Sequence, residues 1–262
     1  MNRRLIDAHI HLDMYSDEER ILLLKELEAS SVDALVAVSK DLSSSHRQLE
    51  SARFDSRIKA AIGWHPEQAV PSEEELQAIL NLIDENHHLL TAVGEVGLPY
   101  YLRQGTPDLD LSPYVKVLEK FIQKAAYTKL PIVLHAVYED AAAVCDLLEA
   151  YSITAAHFHW FKGEDVVLER ILANGYVVSV TPDVVYKEKI QHIVEQTPLS
   201  QLMVETDGPW PFEERFSGRL THPSMMHESV QKIADIKRMN ADEVYKSIYE
   251  TTKAFYRIEE VL

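Results

Sequence analysis

A TIM-like (β/α)8 barrel of the α/β class, regular or distorted, is predicted by three features of this 262-residue sequence. Eight short apolar runs alternate with amphipathic stretches along the chain. The apolar runs are nearly continuous, as expected of strands that are buried on both faces of a parallel sheet. The chain also has the length of an eight-stranded barrel that folds as one unit. We therefore predict one domain over residues 1–262.

The predicted strands follow one another along the chain, with helix-like stretches between them. Residues 16–30 and 72–86 each open with a serine followed by acidic residues, which is a signal for a helix start. Residues 112–129 form a third amphipathic stretch, and residues 241–258 predict a closing helix. The eight predicted strands are Leu5–His11, Val32–Ser39, Ile58–Trp64, Leu89–Gly97, Pro131–Val137, Ile153–Trp160, Tyr176–Thr181 and Gln201–Thr206.

Composition indicates a globular protein of a reducing compartment. Apolar residues make up 46% of the sequence, which is enough for a large core. Cys145 is the only cysteine, so no disulfide can form within the chain, and we expect a cytoplasmic protein without a membrane span. The net charge of −16 disfavours a broad basic surface for duplex DNA. It does not exclude action on nucleic acid, because divalent cations bound in a cleft would reverse the local field.

The segment His9-Ile10-His11 lies at the end of the first predicted strand. Side chains two residues apart share one face of a strand, so both imidazoles would point into the mouth of the barrel and could bind one metal ion. Two histidines on a solvated strand end are the alternative interpretation. Asp7 would point to the same side, where it could orient a ligand imidazole.

Four further strand ends carry an imidazole or a carboxylate. Glu95 lies near glycines that allow close approach, and a carboxylate at the end of a buried strand is costly unless it is paired or metal-bound. His135 ends the fifth strand in the same way. His157 and His159 would share a face of the sixth, and only one of them need bind metal. Asp207 ends the last strand, where it could bind metal and accept a proton from water, or form an Asx turn.

Six motifs, in their order and spacing, resemble the landmark motifs of the TatD family of metal-dependent hydrolases, within the amidohydrolase superfamily. They are IDAHIHLD, GWHPE, VGEVGLPYY, PIVLHA, HWFKG and ETDGPW, and they extend from residue 6 to about residue 210. The resemblance implies a TIM-like barrel, a metal site that usually holds two divalent ions, and deoxyribonuclease activity. The metal ligands that it implies are His9, His11, Glu95, His135, His159 and Asp207.

The resemblance also implies a role for each ligand. Glu95 resembles the bridging carboxylate, and Asp207 resembles the ligand that doubles as proton acceptor, so these two are the predicted catalytic residues. The histidine pair of the first strand would bind the first metal. His135 and His159 would bind the second metal. His157 has no counterpart in the family pattern and becomes a candidate for the pocket or for contact with a ligand.

Three departures from the family pattern fall on the substrate side. The family's His-x-Arg after the fifth strand reads HAV at residues 135–137, so a phosphate-binding arginine is missing. Pro99 replaces an acidic residue in the GLPYY phrase. The family's Arg-Asn-x-Pro phrase reads LTHP at residues 220–223. The implied metal ligands are complete, so metal-dependent hydrolysis is better supported than DNA as the substrate.

The leading hypothesis is a monomeric metal-dependent hydrolase acting on ester bonds, with single-stranded DNA or a small phosphodiester as substrate. Two divalent ions are expected, and Zn, Mn, Mg, Fe or Ni would suit the site. A hydrolase of a small amide, lactone or phosphoester is the second hypothesis, and a non-catalytic metal-binding scaffold is the third. Loop cations could replace the missing arginine or simply be solvated. The predicted substrate-binding residues are His65, His157, Lys162, Arg103 and His222.

Overall fold

The eight apolar runs form eight strands in the computed structural model, which describes residues 3–259. The strands are β1 (Leu5–Ile10), β2 (Val32–Val38), β3 (Ile58–Ile62), β4 (Leu90–Gly97), β5 (Ile132–His135), β6 (Ala156–Phe158), β7 (Val177–Val180) and β8 (Leu202–Val204). Each strand pairs in parallel with the next one in the chain. Helices connect the strands, and this arrangement confirms the predicted TIM-like (β/α)8 barrel.

Ten α-helices lie within residues 3–259. They are α1 (Asp17–Glu26), α2 (Leu42–Phe54), α3 (Glu73–Asn86), α4 (Tyr100–Gly105), α5 (Ser112–Thr128), α6 (Asp140–Ala150), α7 (Asp165–Ala173), α8 (Glu188–Gln196), α9 (Met226–Lys237) and α10 (Ala241–Tyr256). Before α1, the Ser16 hydroxyl accepts the backbone N–H of Glu19, whose carboxylate accepts the N–H of Ser16. Ser72 and Glu75 form the same capping box before α3. The serine-acidic patterns therefore start helices where the sequence predicts them.

Several strands end earlier than the apolar runs that predict them. The predicted strand 153–160 contributes only Ala156–Phe158 to the sheet, and His135 is the last residue of β5. The main chain turns beyond these ends. Trp160 after β6 and Asp207 after β8 have positive φ angles of 37° and 48°. The imidazoles and carboxylates near the strand ends are therefore presented at the C-terminal mouth of the barrel.

Backbone hydrogen bonds join the first strand to the segment that follows the last one. The N–H of Asp207 donates to the carbonyl of His9 at 2.9 Å. The N–H of His11 donates to the carbonyl of Gly208 at 2.8 Å. These two bonds hold the end of β8 against the end of β1. The main chain alone therefore places His9, His11 and Asp207 beside one another.

Asp7 has a different partner from the one predicted. Its carboxylate accepts hydrogen bonds from the backbone N–H of Thr206 at 3.0 Å and from the hydroxyl of Thr206 at 2.5 Å. It also accepts the backbone N–H of His9 at 3.3 Å. The pairing register of β1 shifts between Asp7 and Ile10, which breaks the alternation on which the prediction depended. Asp7 therefore links β1 to the segment after β8 instead of orienting an imidazole.

The main core packs the helices against the strands. Leu23 of α1, Phe121 of α5 and Ile233 of α9 are buried in it. Cys145 is also buried there, and burial raises the pKa of its thiol to about 11, which suits a packing role and not a reactive one. None of the helices within residues 3–259 is long and apolar enough to cross a bilayer.

Candidate metal centre

Glu95 lies on β4 and its side chain is fully buried. Two nearby glycines let β4 approach β5 closely. A Cβ at Gly97 would collide with the backbone carbonyl of His135, and a Cβ at Gly94 would lie 2.6 Å from the Cβ of Val133. Real Cβ contacts are not this short, so glycine is required at both positions. The close approach brings the imidazole of His135 within reach of the carboxylate.

One carboxylate oxygen of Glu95 faces side chains from the ends of β1 and β8. Glu95 Oε2 lies 3.2 Å from His9 Nε2 and 3.1 Å from His11 Nε2. Asp207 Oδ1 lies 3.3 Å and 3.4 Å from the same two nitrogens. These four atoms converge on one small volume. We call His9, His11, Glu95 and Asp207 the first cluster.

The other carboxylate oxygen of Glu95 faces three more imidazoles. Glu95 Oε1 lies 2.8 Å from His159 Nε2, 2.9 Å from His135 Nδ1 and 3.3 Å from His65 Nε2. We call Glu95, His65, His135 and His159 the second cluster. The ring of His159 stacks on the ring of His9 with centroids 3.8 Å apart, so the two clusters adjoin. Glu95 therefore bridges them, with one oxygen in each.

The donor atoms of the clusters suit divalent cations. Among the described residues, Glu95 Oε2 and Asp207 Oδ1 are buried, and the imidazole nitrogens 3.1 to 3.4 Å away give neither oxygen a well-aligned hydrogen bond. A buried carboxylate oxygen without a partner is costly. A divalent cation would satisfy these lone pairs, since imidazole nitrogens and carboxylate oxygens are ligands that such ions accept. The residues present therefore fit a divalent-metal site.

The charges within the clusters favour ionised carboxylates. Burial alone would raise the pKa of Glu95, but the imidazoles of His65 and His159 outweigh it and hold that pKa well below its usual range. Burial also opposes ionisation of Asp207, and hydrogen bonding with His9 holds the pKa of Asp207 below its ordinary value. Both carboxylates are therefore available as anionic ligands at neutral pH.

Glu67 supports the second cluster, and the sequence analysis did not identify it. Glu67 Oε1 lies 3.1 Å from His135 Nε2, and the carboxylate accepts two backbone N–H groups of α4. Burial would lower the pKa of His135, but hydrogen bonds to Glu67 and Glu95 raise it to about 9. Glu67 thus orients the ring with Nδ1 towards Glu95. The motif GWHPE contains Glu67, but nothing in its local pattern indicates a contact with β5.

All six predicted metal ligands come together at the mouth of the barrel. The structure adds His65, which the sequence analysis assigned to the substrate pocket. Its Nε2 is 3.3 Å from Glu95 Oε1, a position from which it could also bind a metal. Burial lowers the pKa of His65, which favours the loss of the proton that metal binding requires.

A pocket of about 1470 Å³ opens over the clusters, and Lys162 lines it. The ammonium of Lys162 lies 3.2 Å from the hydroxyl of Tyr101 and 3.6 Å from the centre of the Trp160 ring. Burial lowers the pKa of Lys162 to about 8. The side chain of Trp210, 58% exposed, lines the same pocket. Lys162 therefore lies where a substrate contact was predicted.

Two other predicted substrate contacts do not line this pocket. The guanidinium of Arg103 binds Asp140 at 2.8 Å and a second carboxylate at 3.2 Å, so its charge is neutralised within the protein. His222 Nδ1 accepts the backbone N–H of Ser224 at 3.1 Å, and its Nε2 lies 3.5 Å from Glu26. Arg103 is thus held in an ion pair and His222 caps a turn, and neither side chain lines the pocket.

His157 lies on β6 and contacts β7 and α10. Its side chain is fully buried, with Nδ1 2.7 Å from the hydroxyl of Tyr256 and Nε2 2.6 Å from the hydroxyl of Ser179. Both ring nitrogens are therefore occupied by protein groups, and His157 does not line the pocket. The sequence left two alternatives for His157, the pocket or contact with a ligand, and in the structure it is not among the residues that line the pocket. β6 ends at Phe158, between His157 and His159, so the two rings have different surroundings.

These features define the class of protein. A parallel (β/α)8 barrel with a carboxylate between two groups of imidazoles, at the C-terminal ends of its strands, is the architecture of a metal-dependent hydrolase. The chain belongs to the TatD family, because the family model described as TatD related DNase matches residues 6–257.

Relatives of known sequence or structure match nearly the whole chain. An uncharacterized metal-dependent hydrolase of Haemophilus influenzae is 36% identical over 255 residues, which are 97% of this chain and 100% of that protein. The human deoxyribonuclease TATDN3 is 27% identical over 269 residues, covering 98% of this chain and 97% of its own. The crystal structure of YjjV, a TatD homologue from Escherichia coli, has a TM-score of 0.87 at 22% identity. That alignment covers 99% of this chain and 100% of YjjV, and it shows a shared fold.

Proposed function

We propose that the protein hydrolyses phosphodiester bonds, with one divalent metal ion in each cluster. The main support for this proposal is that the two carboxylate oxygens of Glu95 face separate groups of imidazoles. Paired cations of this kind are typical of enzymes that displace an alkoxide from phosphorus. The name of the human relative, a deoxyribonuclease, supports DNA as the substrate. Zn²⁺, Mn²⁺, Mg²⁺, Fe²⁺ and Ni²⁺ are the candidate ions.

When bound, the cations would polarise the phosphoryl oxygen and make a water molecule more acidic. The protein's own contribution begins with Asp207. Burial opposes ionisation of this carboxyl group, but hydrogen bonding with His9 holds its pKa below the ordinary value, so it accepts the proton of the attacking water. Glu95 holds the two clusters together through its separate oxygens. Glu67 keeps the ring of His135 in place.

The pocket lining supplies the contacts to the substrate in this proposal. The ammonium of Lys162 makes a charge-assisted contact with a phosphate, in place of the arginine that is missing at residue 137. Tyr101 and Trp210, 45% and 58% exposed, present ring faces on which the bases of a single strand can stack. Single-stranded DNA or a small phosphodiester fits this combination of a cation and aromatic rings.

Assays of metal-loaded protein on single-stranded DNA, bis(4-nitrophenyl) phosphate and a panel of lactones test the proposal. We expect cleavage of the DNA and of the generic phosphodiester, and loss of both activities after chelation of the metal. Turnover of lactones alone would overturn the phosphodiesterase proposal. Two tightly bound metals without turnover of any substrate would favour the non-catalytic scaffold.

Replacing Lys162 with methionine is expected to raise KM for a phosphodiester about tenfold and to change kcat little, since one charge-assisted contact contributes about 1.5 kcal/mol. In the wild type, kcat/KM should fall as the pH rises through about 8, because the ammonium loses its proton there. Lys162→Arg should remove this fall, since guanidinium stays charged. Initial-rate measurements from pH 6.5 to about 9.5 bracket this transition.

Arg103→Met is the matched control for the lysine variant. It also removes a cation from a segment that follows a strand, but the guanidinium of Arg103 already forms an ion pair with Asp140. We expect KM to change less than about twofold, as for a substitution away from the site. Equal increases of KM in the Lys162→Met and Arg103→Met variants would contradict the assignment of Lys162.

A small amide, lactone or phosphoester is the second candidate substrate. Val137, at the position of the missing arginine, and Ile190 of α8 place apolar side chains in the pocket lining. An apolar lining favours a substrate with less charge than a DNA strand. The same metal centre would act on it, so the substrate panel separates the two candidates without any change of protein.

We further propose that residues 1–262 form one domain that acts as a monomer in the cytoplasm. The continuous sheet from β1 to β8 supports one domain. The single cysteine, Cys145, is buried and unpaired, as expected in a reducing compartment. Sedimentation equilibrium tests the oligomeric state, and a mass of twice 29.9 kDa would contradict the monomer.

A further inference from the structure

A buried chain of side chains connects α10 to the second cluster. The hydroxyl of Tyr256 lies 2.7 Å from His157 Nδ1, and His157 Nε2 lies 2.6 Å from the hydroxyl of Ser179. Ser179 donates in turn to Glu205 Oε2 at 2.5 Å. All four residues are buried. The proposed hydrolysis uses none of these four residues directly.

The chemistry of the groups sets the direction of these hydrogen bonds. Ser179 donates its single proton to Glu205 Oε2. The hydroxyl oxygen of Ser179 then accepts from His157 Nε2–H. The hydroxyl of Tyr256 contacts His157 Nδ1 at 2.7 Å and donates to the carbonyl oxygen of Ala8 at 3.0 Å. Each of these contacts supports the next.

The chain ends at the turn that follows His159. The backbone N–H of Trp160 donates to Glu205 Oε1 at 2.7 Å and to the hydroxyl oxygen of Ser179 at 3.2 Å. Trp160 has a φ of 37°, in the left-handed region that a bulky residue rarely adopts. Such a conformation persists only when its surroundings hold it. Ser179 and Glu205 therefore stabilise a strained turn immediately after a candidate metal ligand.

The same turn determines where His159 points. Its Nε2 lies 2.8 Å from Glu95 Oε1, in the second cluster. Its other ring nitrogen, Nδ1, lies 3.4 Å from Glu205 Oε1. If the turn relaxed to an ordinary backbone conformation, the ring would move relative to Glu95. In the first cluster, His9 and His11 come from the end of β1, and the turn reaches that cluster only through the stacking of His159 on His9.

We propose that His157 is a positioning residue for the second metal. The imidazole of His157 fixes the hydroxyl of Ser179. Ser179 in turn stabilises the turn at Trp160, which directs the ring of His159 into the second cluster. This inference rests on the proposed metal centre and goes beyond it, because His157 is not a candidate ligand and does not line the pocket. It also gives a role to the histidine that has no counterpart in the family pattern.

The test compares His157→Phe with His157→Gln. Phenylalanine keeps a ring but removes both nitrogens, whereas the amide of glutamine can still form hydrogen bonds with the hydroxyls of Ser179 and Tyr256. The dissociation constants of the first and second equivalents of Zn²⁺ are measured by competition with a chromophoric chelator. We expect His157→Phe to weaken the second equivalent about 10- to 100-fold and the first less than about threefold, as for loss of a residue that orients a ligand. His157→Gln should restore most of the affinity.

His227→Phe is the matched control. His227 Nδ1 lies 2.8 Å from the hydroxyl of Tyr245, so it has the same kind of partner as His157 but no contact with either cluster. Both phenylalanine variants should lower the melting temperature of the metal-free protein, since each leaves a tyrosine hydroxyl with one partner fewer. Only His157→Phe should change the affinity for the second metal.

The outcomes separate this inference from the proposed function. Unchanged dissociation constants in His157→Phe, with two metals bound by the wild type, would overturn the inference and leave the function intact. A wild type that binds no divalent metal would overturn the proposed function and the inference with it. If His157→Phe does not fold, Ser179→Ala removes the hydroxyl through which His157 would act, and unchanged dissociation constants in that variant would overturn the inference.

Discussion

Replacing Asp207 with asparagine is expected to lower kcat for phosphodiester hydrolysis about 10²- to 10⁴-fold, the usual effect of losing a general base. The amide oxygen of asparagine can still approach the first cluster, but the side chain no longer takes up a proton. In the wild type, burial opposes ionisation, and hydrogen bonding with His9 holds the pKa of Asp207 low enough for the anion to form. Single-turnover rates at saturating metal measure the loss at the chemical step.

Asp13→Asn is the control for this variant. Asp13 is also a buried aspartate, but it pairs with Arg47 at 3.3 Å and does not belong to either cluster. Its replacement should leave kcat unchanged within about twofold, because the site keeps all its ligands. If Asp207→Asn retained wild-type single-turnover rates with its full metal content, another group would have to accept the proton.

Replacing Glu95 with glutamine is expected to weaken the binding of both metals at least about 100-fold, more than the loss of a supporting residue usually causes. Activity at micromolar metal should therefore disappear. Glutamine has one carbonyl oxygen and one NH2 group, so a donor would face one of the two clusters in place of a lone pair. The negative charge that both clusters share would also be lost. Metal content after dialysis and chelator competition measure the effect.

Glu149→Gln provides the comparison for loss of a carboxylate elsewhere. Glu149 is at the surface, where it binds Arg170 at 2.7 Å. Its replacement should leave both metal dissociation constants unchanged, since it lies in neither cluster. A Glu95→Gln variant that still bound one metal with wild-type affinity would show that Glu95 serves a single ion. The bridging assignment would then be wrong.

The fold and most of the candidate site could be predicted because their signals are local. The apolar run before Glu95 and the alternation around His9 are read over fewer than about ten residues, as strand patterns usually are. In a parallel barrel the C-terminal ends of all strands meet at one mouth. Placing His135 and Asp207 at strand ends was therefore enough to predict that they would lie near Glu95, although the sequence separates them widely.

The substrate side was harder to predict because it depends on which loops approach one another. Arg103 and Lys162 both follow strands and look alike in the sequence. Arg103 is neutralised by Asp140, whereas Lys162 lies against Trp160 over the clusters. Glu67 reaches His135 across 68 residues, and no local pattern records that contact.

By itself the sequence determined the barrel, through its apolar runs, and the family with its candidate ligand set, through the resemblance of six motifs. Only the tertiary structure decided which imidazoles face each oxygen of Glu95, and that His65 joins the second cluster. It alone showed that His157 is bound to Ser179 beneath the site instead of facing substrate. The physical reason is that a side chain's partners come from other strands and loops, and their approach depends on the packing of the whole barrel.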